Sequence, residues 1–371
     1  MIEPQGLRSL AFPFWVWLIS RGVLFFAAWV GLYSDRRMVV PASMSTYYQA
    51  VPTFEAFCRW DCGYYIFIAR DGYTRLMETN FFPLLPLLTR ALWFITRIPF
   101  QWGLLIICNA ATLGALVVMF RMFRRLVDEA TARWGVLLFA AYPFAFFYAS
   151  GFTEPLMVLF SALALELALR GQHFRAGAAL GIGSLSRHVA LLAGLGLLIA
   201  QVQQRPHPRR FFKSPAWLAL FVPWLGLLGY CIYLKLAFGD YLAFYAARDV
   251  WGPMSYWSLA DFWRMSPAEQ AGLMPAAMSI PFAALVLIGV LITVRHRPSW
   301  ALASYGLLLC AVFSAIGFVA IGRYSSSCWP GFLGWGMVAA RRPMLGMALL
   351  SMFTMFQGIF FYMHMHQLHV L

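Results

Sequence analysis

Acidic side chains are scarce in this chain: fourteen Asp and Glu stand against 28 Lys and Arg in 371 residues, and charges of both signs make up only 11% of it. Lysine is almost absent, occurring only as Lys213 and Lys235. With 62% of residues apolar and 18% aromatic, a water-facing exterior cannot be assembled from the remainder, which excludes a soluble globular fold. No glycine-rich phosphate-binding loop is present, which counts against a nucleotide-sugar donor and a cytosolic active site. The six cysteines show no zinc or redox spacing. Internal repeats and low-complexity linkers are also missing, so one integrated domain over 1–371 is the default.

What the chain does have is long apolar runs. They recur at about 10–33, 103–122, 132–148, 152–169, 214–237, 273–294, 299–319, 327–341 and 344–363, each near the roughly 20 residues that cross a ~30 Å hydrocarbon layer. The first is too long for a removable signal peptide and lacks its small-residue cleavage pattern, so it reads as a retained span. The expectation is an all-α polytopic membrane protein.

The net charge of +14 is topological and does not imply nucleic acid. Fourteen basic residues fall in five short loops: Arg121, Arg124, Arg125 and Arg133; Arg170 and Arg175; Arg205, Arg209, Arg210 and Lys213; Arg295 and Arg297; Arg341 and Arg342. Only Asp128 and Glu129 accompany them, so these loops are cytoplasmic by the positive-inside rule. Segments 34–102 and 238–272 then face outward, and neither is basic. Of the fourteen acids, Asp35, Glu55, Asp61, Asp71 and Glu78 crowd into the first of these segments.

Crossing parity leaves two irregular stretches. Phe81 to Ile98 cannot be an ordinary crossing and reads as a helix lying along or dipping into the outer leaflet, with Arg90 and Arg97 reaching toward headgroups. Ala176 to Val202 begins and ends inside, with Ser184, Ser186, Arg187 and His188 interrupting its middle. Two half-helices meeting at a polar turn satisfy both facts, and such a break is tolerated only where it is buried in protein or lines a cavity. The alternative is one tilted span with the parity reversed near 170.

A charge at the centre of a membrane helix costs roughly 2.5 to 3.5 kcal/mol on insertion scales, so polar residues near the bilayer form the functional shortlist. They are Arg21, Glu154, Glu166, Arg187, His188, Lys235 and Arg323. Glu166 reads as a helix-end residue and Lys235 as a snorkelling one. Asp61, Glu78, Glu154, Arg187 and Arg323 project to the outer side and are expected to converge on one cavity. A carboxylate there can deprotonate an acceptor hydroxyl, and guanidiniums can grip a departing phosphate. The plainer alternative pairs Asp61 with Arg59 or Arg70. Cys58 and Cys62, four apart and outside, leave a disulfide open in an oxidising compartment.

The run Trp60-Asp61, Tyr64, Tyr65, Ile68, Ala69, Gly72, Tyr73, Glu78 and Phe81 through Leu88 resembles the opening motif of the GPI mannosyltransferase II family (phosphatidylinositol-glycan class V) and its prokaryotic relatives. Further matches follow in order at Pro143 through Tyr148, Ser150, Thr153 through Leu156, Ser186-Arg187, Phe238 through Asp240, Ala243-Phe244, Trp251 and Arg323-Tyr324. The chain departs from the family pattern at Cys62, Gly63 and His188.

The resemblance implies a GT-C glycosyltransferase fold with about 9–11 transmembrane helices and outer juxtamembrane helices. It implies an inverting mannosyltransferase that draws on a polyprenyl-phosphate sugar such as dolichyl-phosphate mannose, with a lipid or glycan acceptor and membrane lipids as partners. Carried over, the base is Asp61, with Glu78 and Glu154 as secondary acids and Arg187 and Arg323 as phosphate ligands. Arg59, Trp60, Tyr64, His188, Asp240 and Tyr324 support them. Inverting displacement needs no cofactor and no metal, and His364, His366 and His369 read as an exposed tail after the last span. Arginine-heavy usage, compact loops and a short N-terminus read as a multi-pass protein of a prokaryotic inner membrane. A carrier or flippase for a lipid-linked sugar would share these features apart from its need for Asp61. A cysteine-based transferase or protease is disfavoured, since no outward cysteine has a nearby histidine in sequence.

Overall fold

The computed structural model describes residues 5–34, 56–205, 207–247 and 258–366, which contain helices and no strand. Asp35, Glu55, Trp251 and His369, singled out in the sequence, lie outside those residues. The chain is an all-α membrane protein. Helix α1 (Gln5–Ser34) and α2 (Cys62–Asp71) precede α3 (Leu84–Thr96), α4 (Phe100–Leu126), α5 (Glu129–Ala141) and α6 (Glu154–Leu169). They are followed by α7 (His173–Ser184), α8 (Ala193–Gln204) and α9 (Val222–Phe238). The last group is α10 (Ile280–His296), α11 (Trp300–Ile316), α12 (Ile321–Ser326), α13 (Pro330–Arg341) and α14 (Pro343–Met365).

Among the described residues, four helical stretches are long and apolar enough to cross a membrane: Leu10–Gly31, Phe100–Leu126, Pro215–Phe238 and Pro343–Met365. Shorter apolar helices complete the bundle. At 1.5 Å per residue α3 is about 20 Å long, short of the ~30 Å needed to cross. It buries Leu84, Leu85, Pro86 and Thr89 and exposes Leu87, Phe94 and Ile95, the two-faced pattern of a helix at a membrane surface.

The run from 176 to 202 does break. Helix α7 stops at Ser184 after a last turn that contains Gly181 and Gly183, and the Ser184 and Ser186 hydroxyls donate to the carbonyls of those glycines at 2.7 and 2.6 Å. The first takes a carbonyl that the next helical turn would have used, and the Gly183 carbonyl also accepts the backbone N–H groups of Ser186 and Arg187. Arg187 is then extended, and α8 resumes after a short 3₁₀ turn at His188–Leu192. The Leu185 carbonyl of the break accepts the Leu84 backbone N–H from α3 at 2.8 Å. The backbone at the break is thereby satisfied by protein.

Helix α9 crosses α7 through glycine. A Cβ at Gly226 would lie 2.1 Å from the Gly181 carbonyl oxygen, so the two backbones touch where no side chain fits. Gly226→Ala must push α9 off the break, and we expect it to lower stability by about 1–3 kcal/mol. Thermal unfolding in detergent measures this.

Two shortlisted charges have structural partners. Glu166 bridges Arg125 of α4 at 2.5 Å and Arg170 at 2.6 Å. Lys235 donates to the Gly239 carbonyl at 2.7 Å and lies over Tyr241. Of the three tail histidines, His364 is not exposed as expected: it is fully buried among Phe146, Phe147 and Phe152 in the last turn of α14. The apolar helix simply continues through it.

Candidate active site

The loop before α2 is shaped by two constraints. Cys58 and Cys62 form a disulfide that encloses Arg59, Trp60 and Asp61. Trp60 takes φ 55°, a left-handed conformation that bulky residues rarely adopt. Asp61 follows at the N-cap position of α2, with one side-chain oxygen directed back into the bundle.

Two other segments meet it. Pro143 ends α5, since the residue before a proline avoids the helical region, and the chain then turns through Ala145–Tyr148 to start α6 at Glu154. Helix α12 is pinned from behind: Tyr142 shares a 2.8 Å hydrogen bond with Ser325, Tyr148 donates to Ser326 at 3.3 Å, and Ser326 donates to the Arg323 carbonyl at 2.6 Å. Behind Gly322 lies the Phe144 ring, 2.5 Å from where a Cβ would stand, so α12 packs flush against the turn.

These segments and the α7–α8 break bring four predicted residues into one chain of ion pairs. Arg323 Nη1 donates to Asp61 Oδ2 at 2.7 Å, and its Nε donates to Glu154 Oε1 at 2.5 Å. Arg187 Nη1 donates to the same Glu154 oxygen. Signs alternate through Asp61, Arg323, Glu154 and Arg187. The outer members are partly exposed, Asp61 at 23% and Arg187 at 22%, while Glu154 and Arg323 are at 0% and 7%. Burial by itself disfavours the Arg323 cation, but Glu154 and then Asp61 outweigh it and raise its pKa. Aromatic faces complete the sleeve: Arg323 lies over Phe152 and Phe147 at 4.5 and 5.4 Å, and Arg187 over Tyr324 at 5.2 Å.

The plainer pairing of Asp61 with Arg70 is overturned, because Arg70 is held by its neighbour Asp71 at 2.7 Å. Glu78 lies outside the chain of ion pairs. Its Oε2 accepts the backbone N–H groups of Thr74 and Arg75 at 2.7 and 3.0 Å, so its carboxylate is used to close the turn after α2. Asp240 is exposed and accepts from the Leu242 N–H at 3.0 Å, again a turn contact. Among the supporting residues, Arg59 is buried in the bridged loop and Tyr64 stacks on Phe81 with ring centroids 4.6 Å apart. The His188 ring packs against Phe82 and Phe244 at 5.4 and 5.9 Å.

An apolar cavity of about 500 Å³ lies between α2, α3, the break and α9. Ile68, Tyr73, Leu185, Gly229, Tyr230 and Tyr233 line it, and Arg90 stands at its wall. Leu185, in the wall of the cavity, stands two residues before Arg187 in the chain. Tyr230 donates to the Thr79 carbonyl at 2.7 Å and Tyr73 to the Phe81 carbonyl at 2.5 Å. Burial pushes the Tyr73 phenol well above its ordinary pKa, which keeps it a donor. The sequence reading did not single out Tyr230, Tyr233 and Gly229. Two tyrosines three apart in an otherwise apolar span were the available signal.

Among curated proteins, none matches the chain. Two crystal structures of the Archaeoglobus fulgidus oligosaccharyltransferase are similar to it. One, tethered through a disulfide to an acceptor peptide containing the NVT sequon, is 12% identical over 94% of this chain and 55% of that one, with a TM-score of 0.45. The other, a complex with Zn and sulfate, is 14% identical over 91% and 52%, with a TM-score of 0.42. The chain spans about half the length of these structures. Residues 32–249, more than half of the sequence, match the family described as Mannosyltransferase (PIG-V), and the chain belongs to that family.

Proposed function

We propose that this glycosyltransferase moves mannose from a polyprenyl-phosphate donor to a hydroxyl of a lipid or glycan acceptor, with inversion, on the extracytoplasmic face of a prokaryotic inner membrane. The observation that carries this reading is the alternating chain of Asp61, Arg323, Glu154 and Arg187, partly exposed at both ends, together with an apolar cavity whose wall includes Leu185, two residues before Arg187. A carboxylate, a phosphate grip and a groove for a hydrocarbon tail are the three elements this reaction needs. The outward assignment is supported by the basic loops on the other side and by the Cys58–Cys62 disulfide, which persists in oxidising compartments.

In this scheme Asp61 takes the proton of the acceptor hydroxyl while the acceptor oxygen bonds to the anomeric carbon from the face opposite the phosphate. The bond from that carbon to the phosphate oxygen breaks, and its electron pair leaves with the lipid phosphate. Arg187 and Arg323 meet the charge that grows there. Arg323 Nη1 holds Asp61 Oδ2, so a donor phosphate that takes this Nη1 frees the base as it binds. Glu154 contacts neither substrate. It is fully buried and orients both arginines. The chain's own residues suffice for these proton and charge movements.

Incubation of the purified protein with polyprenyl-phosphate mannose, glucose and arabinose tests the proposal. The expected result is transfer from the mannose donor with inverted configuration. Hydrolysis or transfer of none of the three refutes it.

The cavity assignment has its own test. A Cβ at Gly229 meets nothing within 4 Å, so a side chain there enters open space without a clash. Gly229→Phe is expected to raise KM for a long-chain polyprenyl donor about tenfold, equivalent to ~1.4 kcal/mol. A donor with a short, water-soluble tail should be unaffected. Equal effects on both donors would remove the cavity from the reading.

A further inference from the structure

We infer that the Cys58–Cys62 bridge is a positioning element for Asp61, setting the carboxylate against Arg323 so that transfer is fast only when the bridge is closed. The inference rests on the reading of Asp61 as the base.

Three observations carry it. The bridge encloses only Arg59, Trp60 and Asp61, so the segment that presents the carboxylate has almost no freedom of its own. Inside it, Trp60 is held at φ 55°. A bulky side chain leaves that region when nothing compels it to stay, and the rotation turns the following peptide and swings Asp61. The bridge also rests on the segment that carries Glu154. Cys62 Sγ would be 2.4 Å from a Cβ at Gly151, and the Gly151 N–H donates to the Phe57 carbonyl at 3.2 Å. Both cysteines are fully buried, so the bridge is a packed joint between the Asp61 loop and the Glu154 turn. Neither cysteine lines the cavity, and α12 keeps its own supports from Tyr142 and Tyr148.

A split between kinetic constants follows. In Cys58→Ala/Cys62→Ala the grip on the donor phosphate and tail remains while the base loses its alignment. The expected result is a kcat of transfer lowered ten- to a hundredfold, with KM for the donor within twofold of wild type. Cys58→Ala alone and Cys62→Ala alone should each match the double variant, because losing either sulfur opens the same bridge.

A double variant with wild-type kcat overturns the inference. So does a parallel loss of donor binding and thermal stability, which would make the bridge merely structural. Peptide mapping of active wild-type protein under non-reducing conditions is a second test that needs no variant: Cys58 and Cys62 recovered as free, alkylated thiols in protein of full activity also overturn it. Failure of the underlying reading looks different. If Asp61→Asn keeps full transfer, the base assignment falls whatever the cysteine variants do. If Asp61→Asn is inactive while the double variant is fully active, only the role of the bridge falls.

Discussion

Asp61→Asn should reduce transfer by about 10²–10⁴-fold, the range that a positioned general base contributes, while donor binding stays close to wild type. Asparagine preserves the shape of the side chain and still offers an oxygen to Arg323 Nη1, now 2.7 Å from Oδ2. What it removes is the basic lone pair. Donor affinity should not fall, because Arg187 and Arg323 remain and one anion competing for Arg323 is gone. A transfer assay paired with equilibrium binding of a non-transferable donor analogue separates the two quantities. The same pair of measurements discriminates the carrier reading: a flippase needs the groove and the arginines but no base, so it would keep moving lipid-linked sugar across vesicles after the substitution. Transfer within tenfold of wild type would remove Asp61 from the chemistry.

Glu154→Leu should be the most destabilising single change in the site, by about 3–5 kcal/mol, the cost of leaving a buried charge without its partner. Glu154 is fully buried, and one of its oxygens serves both Arg187 and Arg323. Removing it leaves two guanidiniums facing one another across an apolar gap, with Arg323 resting on Phe152 and Phe147. The second substitution Arg187→Leu should recover part of the loss, because Arg323 retains Asp61 as its partner and the gap is filled by carbon. Thermal unfolding of wild type, Glu154→Leu and the double variant in one detergent reads this directly. If Glu154→Leu unfolds with wild type, the ion-pair chain does not hold the site together. If Arg187→Leu adds to the damage, Arg187 is held by contacts other than Glu154.

Much of the architecture was legible because its causes are local. Apolar runs of spanning length and clusters of arginine are properties of short stretches, and they were enough to order the chain as a helical membrane protein. They also located the break near Ser184 through His188, where polar side chains interrupt an apolar run and two serine hydroxyls take the last carbonyls of α7. The length of α3 follows from Pro83 and Pro86 at its start and from a left-handed Arg97 at its end. The acid-rich segment 34–102 includes Asp61, one end of the ion-pair chain.

The pairings inside that region were not legible. Nearby Arg59 and Arg70 were the candidate partners of Asp61, whereas the arginine that holds it is 262 residues away. Glu78 looked equivalent to Glu154, yet one caps a turn four residues from itself and the other joins Arg187 of the α7–α8 break to Arg323 of α12. The last span was expected to release His364 into water, and the bundle buries it.

Sequence alone determined which segments are apolar, which loops stay on the basic side and where carboxylates are concentrated, because hydrophobic transfer and charge act on each stretch independently of the rest. Tertiary structure decided which charge meets which, since a buried ion pair forms only where helix packing brings two side chains within about 3 Å. That separation depends on every crossing between them, down to the glycine contacts of α7 with α9 and of Gly151 with the disulfide.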